Sequence, residues 1–96
     1  MASRGKREVS VEDALRVGVE ALGGICIKLY PAWYVGIPDR LVLLPGARVF
    51  FVELKRPVGG VVSSSQKWWA RTLTRLGFQV RTLNTVELIE TFLNEL

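Results

Sequence analysis

Three polar residues in apolar surroundings, Asp39, Glu53 and Lys55, have the types and spacing to carry out chemistry. Glu53 and Lys55 stand two apart in Arg48-Val49-Phe50-Phe51-Val52-Glu53-Leu54-Lys55. Strand side chains alternate between faces, so these two share a face while Val52 and Leu54 take the other. Charges in so apolar a strand are costly without a compensating partner. A hairpin centred on Gly46 puts Asp39 directly opposite Glu53, where paired Cβ atoms lie roughly 4.5–5.5 Å apart. Two carboxylates at that separation repel unless a proton or a divalent cation lies between them. Oxygen donors favour Mg²⁺ or Mn²⁺, and the backbone carbonyl of Leu54 is available as a further ligand. A metal held there would polarise a phosphoryl oxygen and lower the pKa of bound water. Lys55 would then orient or deprotonate the nucleophile and offset developing negative charge. The competing reading is a solvated hairpin end with Glu53 and Lys55 facing water; Asp39 in register and the apolar flanks favour the site.

Other residues could widen it. Glu12 falls in the first turn of a helix and either leans over the strands as a metal ligand or merely complements the helix dipole. Glu8 is a weaker candidate for the same role. Lys67, Arg71 and Arg75 recur at helical spacing as one basic stripe, with Arg56 and Lys55 just before the loop leading to it. Such a stripe suits a phosphate backbone, although charged stripes often only face solvent. Gln66 can reach the metal site or a phosphate. Trp33, Tyr34 and Trp68 suit a dimer interface, stacking on unpaired bases or core packing.

Composition removes alternatives. The chain of 96 residues contains no histidine, which excludes Ser-His and Cys-His catalysis and histidine metal sites. Its net charge of +4 suggests a polyanionic partner. Cys26 is the only cysteine, so no intrachain disulfide forms, and a reducing, intracellular setting is expected. Neither a signal peptide nor an apolar run of membrane-spanning length is evident, and a cytoplasmic protein without membrane contact is predicted. Hydrophobic residues make up 49% of this short chain, an excess that a homodimer would cover.

The elements that must hold these residues follow in the order α-β-β-β-α-β-α within one domain, residues 1–96. Ser10 caps a helix with Val11, Leu15, Val19 and Leu22 at helical spacing, ended by Gly23-Gly24. Ile25 to Leu29 reads as a strand, and an aromatic loop from Tyr30 to Pro38 follows. Asp39 to Leu44 and Arg48 to Lys55 form the hairpin about Pro45-Gly46-Ala47. Ser63 or Ser64 caps a second helix that runs to Leu76, with Trp69, Leu73 and Leu76 as its buried stripe. Phe78 to Leu83 is a strand, and Asn84 with Glu87 opens a last helix to about Leu93.

Gly36-Ile37-Pro38-Asp39, Phe51-Val52-Glu53-Leu54-Lys55 and Gly59-Gly60-Val61-Val62-Ser63-Ser64-Ser65-Gln66 together resemble the virus-type replication-repair nuclease (VRR-NUC) domain, a branch of the PD-(D/E)xK superfamily. Leu22-Gly23-Gly24 and Gly77-Phe78-Gln79-Val80 extend the similarity over nearly the whole chain. The resemblance implies a restriction-endonuclease-like αβββαβ core, a central mixed sheet flanked by helices. It implies Asp39 and Glu53 as metal ligands, Lys55 as the catalytic lysine, Glu12 as a helical ligand, Gln66 at the following helix start, and Ser63 near it as a DNA contact. The triple serine Ser63-Ser64-Ser65 departs from the proline that members often carry. Stand-alone members resemble phage-encoded, dimeric, structure-selective DNA nucleases, some cutting four-way (Holliday) junctions. The expectation is therefore a Mg²⁺- or Mn²⁺-dependent DNA endonuclease acting as a homodimer on branched DNA, with a role in DNA repair. A flap- or restriction-like nuclease and a nonenzymatic nucleic-acid-binding module are the alternatives.

Overall fold

The computed structural model describes residues 10–30, 33–55 and 61–96. Glu8 and Arg56, named above as candidates, lie outside the described residues. The elements are α1 (Val11–Ala21), β1 (Ile25–Lys28), β2 (Arg40–Leu44), β3 (Arg48–Glu53), α2 (Ser64–Arg75), β4 (Gln79–Thr82) and α3 (Val86–Asn94). This is the expected order.

One sheet runs β1-β2-β3-β4, antiparallel at β1/β2 and β2/β3 and parallel at β3/β4. The β2/β3 register pairs Leu44 with Arg48 and Arg40 with Val52, which centres the hairpin on Gly46 as the turn residues predict. The parallel step requires a crossover, and α2 supplies it. Val42, Leu44, Phe50 and Val52 alternate onto one face and form the core with Leu15 and Val19 of α1 and Ile89 and Phe92 of α3. Phe50 meets Phe92 edge to face at 5.1 Å.

The opposite face carries α2 and is covered unevenly. Val80 and Thr82 line one cavity of about 180 Å³ with Gln66, Lys67 and Ala70 of α2. On the β1 side the same face shows Ile25 and Ile27, paired with Leu43 and Leu41, and Ile25 remains 60% exposed.

Helix starts follow local chemistry. Ser10 accepts the Asp13 amide at 3.0 Å. Ser63 and Gln66 form a capping box in which each side chain accepts the other's backbone amide. Four expectations need correction. β2 begins at Arg40 and β3 ends at Glu53, so Asp39 and Lys55 lie just outside the ladder. The α3 cap is Thr85, whose hydroxyl accepts the Leu88 amide, rather than Asn84. Leu76 is the exposed C-cap of α2, because the helix ends at Arg75. Leu22 is likewise an exposed C-cap and not part of the α1 core stripe.

Candidate active site

The loop into β2 and the end of β3 bring two acids together. Beyond the last ladder pair, Asp39 still continues the sheet by accepting the Leu29 amide through its carbonyl at 2.9 Å. Its side chain turns across the hairpin, where Oδ1 accepts the Leu54 amide at 3.0 Å. Oδ2 is buried and has no hydrogen-bond partner. A buried carboxylate oxygen left without a donor is expensive, which makes this atom a candidate ligand for a cation or water.

Glu53 stands across the hairpin at the end of β3. Its carboxyl is pushed up to about 7, first by burial and then by the negative charge of Asp39. A hydrogen bond from the Asp39 backbone and the charges of Lys55 and Arg40 oppose that rise. Asp39, Glu53, Lys55 and Gln66 line one cavity of about 310 Å³, together with Lys28 and Tyr30. Lys55 itself is exposed at the cavity mouth. Gln66 reaches this cavity from the first turn of α2, because Gly36 lets the aromatic loop touch that helix. A Cβ on Gly36 would lie 2.6 Å from Ser65 Cβ and 2.9 Å from the Gln66 amide nitrogen, and its φ of 93° also favours glycine.

Glu12 is not brought to the acid pair. Its Oε1 lies 2.6 Å from Nη2 of Arg40, a guanidinium buried on the α1 side of β2. Among the described residues no group of three or more His, Cys, Asp or Glu side chains is placed to hold a metal. Sequence reasoning missed Arg40, although a signal was present. Positions 40, 42 and 44 of the strand share one face, so an arginine beside Val42 and Leu44 has to find a carboxylate in the covering helix.

No profile of a known protein family matches the chain. A protein named "Putative nuclease p44", from Acyrthosiphon pisum secondary endosymbiont phage 1, is 39% identical over 82 residues, 85% of this chain and 87% of that protein. A solved structure described as a VRR_NUC domain aligns with a TM-score of 0.77 and 26% identity, covering 88% of this chain and 90% of its own. The chain belongs to the VRR-NUC nuclease family.

In this VRR-NUC chain the donor set suits a hard cation. The unpartnered Asp39 Oδ2, the Glu53 carboxyl that resists losing its proton, and the absence of histidine all point to oxygen ligation. The three basic residues read from the spacing, Lys67, Arg71 and Arg75, lie on or near α2 cavities. Lys67 borders a second cavity that shares Gly36, Glu53 and Gln66 with the first. Arg71 lines a neighbouring hollow with Trp68 and Ser65, and Arg75 lies beyond it near Thr74. None of the three forms an ion pair with another described residue. Ser63, expected to bind DNA, serves as the α2 cap. Trp33, Tyr34 and Trp68 are 88%, 58% and 51% exposed, and Tyr34 and Trp68 each meet the half-buried Trp69 edge to face. Burial pushes the Cys26 thiol up, away from reactivity. No helix among the described residues is long and apolar enough to cross a membrane.

Proposed function

We propose that this VRR-NUC nuclease hydrolyses DNA phosphodiester bonds with Mg²⁺ or Mn²⁺ bound by Asp39, Glu53 and the Leu54 carbonyl. The buried, unpartnered Oδ2 of Asp39 beside a carboxyl pushed up to about 7 is the observation that carries this reading. When bound, such a cation supplies Lewis-acid polarisation and a water acidified toward neutrality. The chain's own groups do the rest. Asp39 is held by the Leu54 amide through Oδ1, which leaves Oδ2 as its ligand oxygen. Lys55 is exposed at the cavity mouth, where it can meet a phosphate, assist deprotonation of the nucleophile and neutralise charge as it builds. Gln66 orients the nucleophile or a phosphate oxygen from the helix side. Lys67, Arg71 and Arg75 hold the backbone of the substrate on either side.

The substrate proposed is branched DNA, four-way junctions above all, cut by a homodimer. The exposed apolar half of the sheet about Ile25 and Ile27 supports self-association, since a second copy would cover it. Exposed Trp33 and Trp68 favour a second reading, a flap whose unpaired bases stack on indole rings.

Purified protein incubated with duplex, flap, single-stranded and four-way DNA, in Mn²⁺ and in EDTA, tests both. Cleavage is expected only with the cation and best on a branched substrate. Asp39→Ala and Glu53→Ala are each expected to lower turnover at least a hundredfold, and Lys55→Ala nearly as much. If every DNA stays intact in Mn²⁺, the proposal is wrong.

A further inference from the structure

Arg40 and Asp39 are the two buried polar side chains among the described residues, and they are neighbours. Only Asp39 has a role so far. Arg40 is 5% exposed and sits on the face of β2 that otherwise supplies Val42 and Leu44 to the core. An apolar residue would be the cheaper occupant of that position, because a buried guanidinium must recover its lost hydration from its partners. Its two arms show where that recovery comes from. Nη2 reaches Oε1 of Glu12 on α1 at 2.6 Å. Nη1 donates to the Asp39 carbonyl at 3.0 Å and lies 3.9 Å from Asp39 Oδ1.

The fork thus spans the gap between helix and sheet and ends on both the backbone and the carboxylate side of Asp39. The Asp39 carbonyl also takes the Leu29 amide, so Arg40 loads the point where the chain leaves the ladder and enters the site. The same charge faces Oδ1, the oxygen that holds the Leu54 amide, and leaves Oδ2 without a hydrogen-bond partner.

We propose that Arg40 is a positioning residue of the acidic site: anchored by Glu12, its guanidinium sets the Asp39 carboxylate with Oδ1 on the Leu54 amide and Oδ2 kept without a protein donor. This assignment rests on the proposed acidic site and gives Glu12 its place as the anchor of Arg40. A role in stability alone would not require the arm on Asp39, since the Glu12 pair by itself fastens α1 to the sheet. Lysine cannot reproduce the arrangement, because an ammonium is a point charge and lacks the planar fork.

The test compares Arg40→Met and Arg40→Lys with the parent, reading thermal melting, steady-state cleavage of branched DNA in Mn²⁺, and hydrogen exchange of the Leu54 amide in cation-free protein. Methionine keeps the volume and removes the buried charge, and the Glu12 carboxylate it leaves behind is exposed enough to be hydrated. Arg40→Met is expected to melt within a few degrees of the parent and to exchange Leu54 at least tenfold faster. Its kcat should fall at least tenfold with KM for DNA within twofold. Arg40→Lys should recover part of kcat and leave Leu54 exchange at least threefold faster than in the parent. Parental Leu54 protection in both variants overturns the proposal, as does parental kcat in both. If Arg40→Met does not fold, the same two readings on Arg40→Lys decide alone. Failure of the nuclease reading is distinguishable, because the parent itself would then cut nothing while Leu54 exchange would still report on Arg40.

Discussion

At the scale of single residues, Glu53 couples the site to pH. Its carboxyl is pushed from the ordinary 4.5 up to about 7, so the folded protein holds a proton that the unfolded chain has released. Stability from this group is therefore complete below about 4.5 and is lost as pH rises through about 7. In EDTA the parent should lose melting temperature between those limits relative to Glu53→Gln, which has nothing to titrate. Parallel melting curves for the two proteins across this range would show that folding does not raise the Glu53 carboxyl. The pairing of Asp39 with Glu53 was readable from residue types and turn position, because hairpin register follows from which residues occupy the turn. The Arg40–Glu12 pair was not. It joins a strand to a helix far apart in sequence, and an isolated glutamate in a first helical turn carries no mark of its partner.

Among the elements, the contact between the aromatic loop and α2 decides whether Gln66 joins the acids. Gly36 permits it twice over, by its positive φ and by its approach to the backbone of Ser65 and Gln66. Gly36→Ala should cost about 2 kcal/mol or more, from the left-handed φ together with the backbone clash. Chemical denaturation measures that loss, and cleavage should fall further than the loss of folded protein explains. The α2 start was legible, since Ser63 and Gln66 carry the spacing of a capping box. Its end was not, because Leu76 matches the apolar period but is the cap that follows the last helical turn, and it stays exposed. The strand ends are similar. Asp39 and Lys55 continue the alternation, yet the ladder stops short of both.

For the whole molecule, the two sheet faces differ in a way that alternation cannot reveal. Both are apolar, and only the three-dimensional path of α2 decides that the β1 side of one face stays bare. Ile25→Glu with Ile27→Lys should therefore leave the monomer folded and abolish self-association, read as mass in solution at micromolar concentration. Paired incision of a four-way junction should fall to single nicks. A parent protein that is monomeric with and without junction DNA would refute the dimer. The mixed sheet has one more consequence, in the order of its assembly. The β2/β3 hairpin closes a short loop, whereas β4 reaches β3 only after the α2 crossover is made. Local pairings are favoured early in folding, so Asp39 and Glu53 meet while the rest of the chain is still searching. Their mutual repulsion then falls on the rate-limiting step, and at pH 8 Glu53→Gln should refold faster in stopped-flow while unfolding at nearly the parental rate.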